Sequence, residues 1–336
     1  MENLRKKAYK IKVENRGEYV YFRGLIEISN KCRKNCLYCG IRCGNSKVER
    51  YELDEESVLR GARFAKEQRY GSVVIQGGER DDSLFIEKIS KILYEIKKME
   101  MGVTLSLGEQ TQEVYREWAR NGAKRYLLRI ESSNEELYNK IHPVFDDKNR
   151  KMHSFLKRLE SLEFLKKEKY LVGSGVMIGL PFQTYNHLDN DIKFFKEFGV
   201  DMVGMGPYIP HKDTPLGKMV LNGECNEGDF CNFSKEQLLD LSLNMVAKLR
   251  IAMPHINIAA TTALQVLHPD GREMALTCGA NVVMPNMTDT QVRGNYNLYE
   301  GKPNVADTAK DTMDKLVSNL EKLRIPIGWD MLGDVR

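Results

Sequence analysis

Residues 29–40 read Ser29-Asn30-Lys31-Cys32-Arg33-Lys34-Asn35-Cys36-Leu37-Tyr38-Cys39-Gly40, directly after a β-branched run at 19–28. Three cysteines spaced by three and then two residues sit on one short loop. Each thiolate can hold a different iron of a cubane, which leaves the fourth iron without a protein ligand. An open metal position is a place for chemistry, as it is in catalytic zinc sites. Tyr38 adds an aromatic face suited to a nucleotide base. The alternative is a structural zinc loop, which takes four ligands, with Cys43 the candidate fourth.

On both sides of this loop short apolar runs alternate with amphipathic stretches. The pattern predicts strands at 19–28, 72–76, 102–106, 125–130, 171–178, 201–204, 256–260 and 281–284. Helices are expected at 55–68, 82–98, 112–121, 151–167, 187–198, 235–251, 272–278 and 307–323. Gly199 closes one of them, and Ser234 followed by Glu236 and Gln237 opens another. Strict strand–helix alternation points to the α/β class and a TIM-type (β/α)8 barrel. The expected organisation is an N-terminal extension over 1–18, the barrel over 19–305, and a C-terminal helix and tail over 306–336. The stretch 207–233 is too polar and Gly-rich for a core element and reads as an insertion over the barrel mouth, placed like a lid.

The chain has 336 residues, 42% hydrophobic and 29% charged, with a net charge of +4. That supports a sizeable core and gives no basic block for nucleic acid. No apolar run approaches the ~20 residues of a membrane span, and residues 1–16 lack the apolar stretch of a signal peptide. The expectation is a cytoplasmic protein. Four of its seven cysteines lie between Cys32 and Cys43, which favours a metal site over a disulfide framework.

A barrel carries its site at the C-terminal ends of its strands. Gln76-Gly77-Gly78-Glu79 follows the second run, where the glycines expose amides and Glu79 can accept from an ammonium; an ordinary βα turn would look similar. Thr104-Leu105-Ser106-Leu107-Gly108-Glu109 ends the third. Arg129-Ile130-Glu131 ends the fourth, a charge pair suited to a ligand carrying both signs. Thr261 and Thr262 follow the seventh run and Met284 the eighth. His142, His153 and His255 lack ligand spacing and read as structural, and methionines such as Met202 and Met205 read as core filling.

Cys-x3-Cys-x2-Cys with an aromatic before the last cysteine resembles the signature of radical S-adenosylmethionine (SAM) enzymes. In that family a 4Fe–4S cluster binds the amino and carboxylate groups of SAM through its open iron, and an electron from the cluster breaks the S–C5′ bond. Gly77-Gly78-Glu79 resembles the family motif that holds the methionyl amine. Several segments are similar to HydE, the FeFe-hydrogenase maturase family. These are Arg23 to Asn30, Thr104 to Glu109, Arg125 to Arg129, Val203 to Pro215, Ala260 to Ala263 and Gly279 to Asn286.

That resemblance implies that Cys32, Cys36 and Cys39 hold the cluster. Tyr38, Gly77, Gly78, Glu79, Ser106, Glu131, Arg150 and Met284 would contact SAM, and Arg129, Thr104, Thr261 and Thr262 the substrate. It further implies a small organometallic substrate, an iron–cysteine carbonyl-cyanide complex made by the maturase HydG, and attack on a sulfur atom. A ferredoxin or flavodoxin reductant and other hydrogenase maturases are the implied partners. A HydE-like relative acting on a small amino-acid-like molecule, or a non-catalytic cluster scaffold, is the alternative. Three features depart from the family. Ile130 stands where HydE commonly has His, no cysteine follows Gly301-Lys302, and Cys225 and Cys231 lie in a long segment where they read as inert thiols or other ligands.

Overall fold

A computed structural model describes residues 2–145 and 152–335. Eight parallel strands close into a barrel in sequential order: β1 (Tyr21–Ser29), β2 (Ser72–Gly77), β3 (Gly102–Ser106), β4 (Ala123–Leu127), β5 (Leu171–Ile178), β6 (Met202–Pro207), β7 (Asn257–Ala260) and β8 (Val282–Val283). Closure removes every sheet edge, and β8 manages it with two residues, which pair with Tyr21 and Phe22 of β1 and, through Val282, with Ala259 of β7.

Outward residues of the strands pack on the helices. Phe22, Ile26, Ile28, Val73, Ile75, Val103 and Leu105 are wholly or nearly wholly buried in that layer. The helices are sharply capped, as at Asp54, Asp82, Thr111 and Ser154, whose side chains each accept an amide of the first turn. Along β1 two inward positions are charged, Arg23 low in the barrel and Glu27 above it, with Leu25 between them. Both charged residues are almost fully buried.

The fourth strand stops short of its expected end. Beyond Leu127 the chain still pairs with β5 through Leu128 N–H to Gly173 O and Glu131 N–H to Gly175 O. However, Glu131 takes φ 63°, which breaks the regular ladder. The N-terminal extension is a helix (Glu2–Arg16) lying along the helix Lys235–Ala252; Arg5 bonds Asn244 and Asp240 across the contact.

Two expectations about the 207–233 segment are corrected. It contributes to the core, because it contains the helix Pro215–Leu221 and buries Tyr208, Leu216 and Phe230. The apolar positions are too few and too scattered between polar ones to show as a periodic pattern. Cys225 and Cys231 are neither free thiols nor metal ligands but a disulfide, with Cα atoms 5.5 Å apart. The chain folds back here because Glu227 O accepts Phe182 N–H, and Asp229 N–H donates to Gln183 O.

Residues 326–335 run under the barrel. Val20 N–H donates to Pro326 O, Trp329 packs edge-on to Phe22 at 5.4 Å, and Asn257 and Arg16 both donate to Gly333 O. Arg125, 4% exposed, donates to both oxygens of Asp334 at 2.5 and 2.6 Å. Removing one partner of a buried pair strands the other. Asp334→Ala is expected to cost about 3 kcal/mol, read as a lower midpoint in chemical denaturation.

Candidate active site

The cysteine loop leaves β1 at Ser29 and has no regular secondary structure. Its carbonyls are gathered by one side chain: Arg50 donates to Asn30 O, Ile41 O, Arg42 O and Asn45 O. Leu37 and Tyr38 pack on a small apolar cluster of Leu137, Ile141, Leu180, Tyr208 and Leu216. The loop also lies directly on the end of β2. A Cβ on Gly78 would stand 2.3 Å from Lys31 O and 2.8 Å from the Cys32 Cβ, so this contact needs glycine.

Burial and neighbouring negative charge raise all three thiols. Cys32 goes to about 11 through burial and then Glu79, Cys39 to about 12 through burial and then Cys32, and Cys36 well above the usual range. Three thiols so placed ionise together only if a cation joins them.

Behind them stands a pair of neutral imidazoles. His142 donates through Nδ1 to Tyr138 O (2.9 Å), which leaves its Nε2 to accept the Tyr38 hydroxyl at 3.0 Å. His153 Nε2 accepts Asn35 N–H at 3.3 Å and lies 3.8 Å from Cys36 Sγ. Burial holds both well below the normal histidine range, His153 at about 3.

Two carboxylates meet the loop from below. Glu109 bonds Lys34 Nζ (2.9 Å) and Arg158 Nε (2.7 Å). Burial works to raise its pKa, and these two cations overcome that to hold it at about 2. Glu79 bonds the half-exposed Arg33 at 3.1 Å and lies 3.4 Å from Lys34; burial and then Glu109 raise its pKa. Gly108, at φ 77°, passes under Glu79 so closely that a Cβ would collide with the carboxylate.

Across the lumen Arg129 Nε bonds Glu131 Oε1 (2.8 Å) and its NH1 donates to Gly204 O (3.0 Å). Glu131 Oε2 is buried without a partner among the described residues. Thr261 donates to Met205 O. On β1, Glu27 accepts Lys302 Nζ and Asn286 Nδ2.

Residues 26–207 match the radical SAM superfamily model. The chain is 45% identical over 301 residues to the [FeFe] hydrogenase maturase subunit HydE of Thermotoga maritima, covering 90% of this chain and 80% of that one. The chain belongs to the HydE family of radical SAM enzymes. Two solved structures show the same fold. Methylornithine synthase has a TM-score of 0.79 at 21% identity, covering 98% of this chain and 89% of that one. The maturase HydG of Carboxydothermus hydrogenoformans has 0.76 at 20%, covering 99% and 73%.

The cofactors of a radical SAM enzyme are a 4Fe–4S cluster and SAM, and the residues of this HydE family member fit both. Three neighbouring soft donors need positive charge, as iron supplies. The unpartnered Oε2 of Glu131 and the Oε2 of Glu79, which Arg158 approaches no closer than 4.0 Å, can each accept donors of the kind SAM carries.

The structure gathers Cys32, Cys36, Cys39, Tyr38, Gly77, Gly78 and Glu79 at one end of the barrel. Arg129, Glu131 and Thr261 lie on the opposite wall. Ser106, Thr262 and Met284 are half-buried at their strand ends. Thr104 lies lower, lining a small chamber with Arg23, Arg125 and Asp334. Arg150 falls outside the described residues. Ile130 is fully buried in the packing layer, so its replacement of His takes nothing from the lumen lining. Cys43 is exposed and Cys278 buried.

Sequence reading assigns no role to Lys34, Arg50 or Arg158, places Glu109 at a strand end without assigning it one, and takes His142 and His153 as structural, whereas both stand beside the cysteine loop. A lysine between two of the cysteines, and a glutamate one residue past a strand-end glycine, were the available signals.

Asp191 fixes the turn after Glu131 by accepting both the amide and the hydroxyl of Ser133 at 2.7 and 2.6 Å. Burial raises its pKa to about 7, above the ~3.9 of an unfolded aspartate. Stability from this group is therefore full below about pH 4 and declines as pH rises to about 7. Asp191→Asn keeps an acceptor and loses the charge. Its stability relative to the native protein is expected to grow across that window and level off above it, read by denaturation at a series of pH values.

Proposed function

We propose that this enzyme is a HydE-type maturase. It cleaves SAM reductively and directs the 5′-deoxyadenosyl radical at a sulfur atom of an iron–cysteine carbonyl-cyanide precursor, on the way to the diiron part of an FeFe-hydrogenase cofactor. The observation that carries the reading is the meeting of three neighbouring thiols with Glu79 and Glu131 at the barrel mouth, in a chain 45% identical to a HydE maturase.

Cys32, Cys36 and Cys39 would hold the cluster. When bound, it supplies the electron that breaks the S–C5′ bond. The rest falls to the chain's own groups. Glu79 accepts the methionyl ammonium, and Glu131, through its unpartnered Oε2, accepts from ribose hydroxyls. Tyr38 has its hydroxyl committed to His142, so it offers the base a ring face. Gly77 and Gly78 bring backbone close to the ligand, Ser106 and Met284 line the pocket, and Arg150 pairs with the SAM carboxylate. Arg129, Thr261, Thr262 and, deeper, Thr104 bind the substrate's anionic and polar groups. A small ferredoxin or flavodoxin supplies electrons, and other maturases supply and receive the organometallic compound. The 45% identity to a HydE maturase over 90% of the chain supports the maturase over a relative working on a metal-free amino acid.

Reconstituted without oxygen and given dithionite and SAM, the protein is expected to release 5′-deoxyadenosine and to consume the iron–cysteine complex. Cys36→Ala is expected to lose both the brown colour and the cleavage. Cleavage by that variant would contradict the ligand assignment, and turnover of a metal-free amino acid alone would replace the maturase reading.

A further inference from the structure

Glu79 and Glu109 lie side by side at neighbouring strand ends, and they divide the nearby cations unequally. Both oxygens of Glu109 are taken, Oε2 by Lys34 at 2.9 Å and Oε1 by Arg158 at 2.7 Å. Each cation is pinned a second time, Lys34 Nζ by Met152 O at 2.6 Å and Arg158 NH1 by Arg129 O. On Glu79, Oε1 faces Arg33 and Lys34, and Arg33 is shared with Asp81 at 2.6 Å. The other oxygen, Glu79 Oε2, has Arg158 no nearer than 4.0 Å and lies over Gly108, where no side chain intervenes.

We propose that Glu109 is a positioning residue for SAM: by retaining Lys34 and Arg158 it keeps Glu79 Oε2 free for the ammonium group of the incoming cofactor. The proposal rests on the reading of Glu79 as the amine acceptor and extends it. A buried carboxylate attracts any cation within reach, and two tethered side chains would outcompete a ligand that must give up its freedom to bind. Glu109 removes that competition. It also balances charge, since Lys34, Arg33 and Arg158 already face the site before a further positive group arrives. Without Glu109, both cations are left unpaired beside Glu79 and turn to it.

The test measures affinity on cluster-loaded protein without reductant, by equilibrium dialysis with SAM and with an analogue lacking the α-amino group. Glu109→Gln is expected to weaken SAM about tenfold, the scale of a charge-assisted hydrogen bond. It should leave the desamino analogue within about twofold. Lys34→Met combined with Glu109→Gln removes one of the two stranded cations and is expected to recover part of the loss. Should Glu109→Gln fail to hold the cluster, Glu109→Asp keeps the charge but retracts it, and is expected to give a smaller loss confined to SAM.

Equal weakening of both ligands, or no weakening of SAM, overturns the proposal. Glu79→Gln separates it from the reading beneath: that variant is expected to abolish the preference for the amine. A Glu79→Gln protein that still prefers SAM overturns both.

Discussion

An irregular loop has to hold three thiols in fixed places, and the main-chain groups of such a loop must be satisfied without a ladder of their own. Arg50 meets that requirement by collecting four carbonyls from residues 30–45 with one planar fork. Asn30 complements it, donating to Glu49 O and Asn295 O while accepting Tyr51 N–H. The loop is therefore fixed from its outer flank and from the 295–298 segment, where Gly40 N–H donates to Leu298 O. Lys34, Leu37 and Tyr38 anchor it on the inner side, against Glu109 and the small apolar cluster.

Beneath the loop the lumen is lined by charge rather than by the branched aliphatic layers that usually fill a parallel barrel. Glu27, Lys302, Arg129 and Glu131 pair across or along its wall. Ion pairs in such a setting contribute little net stability, because desolvation offsets attraction. They are better understood as a preorganised polar environment for a charged ligand. The packing between helices and strands outside carries the stability, through Trp118, Phe85, Tyr115 and Phe195 of the helices and Tyr126 of β4.

The sequence made the barrel legible because its two periodicities are local. β-branched runs mark buried parallel strands, and caps such as Ser234 mark helix starts, independent of what they pack against. The same locality made Cys32, Cys36 and Cys39 legible, and the strand-end rule found Glu79, Arg129 and Glu131. What escaped was non-local. Lys34 becomes meaningful only when Glu109 is 2.9 Å away, and His153 only when residues 117 apart in sequence bring it beside Cys36. The Cys225–Cys231 bond needed a folded-back loop that no short-range pattern announces. The kink after Leu127 depends on the positive φ of Glu131, an unfavourable conformation for that residue type, held here by pairing with β5.

The floor of the barrel is assembled from pieces far apart along the polypeptide. Arg16 and Asp334 are separated by 318 residues, and Arg125 reaches Asp334 across 209. Contacts of that span demand large loop-closure entropy before they give anything back. The barrel's lower opening should consequently be among the last parts to zip up during folding. Until it does, the charged interior stays hydrated from below, and its ion pairs come out of water only as the base closes.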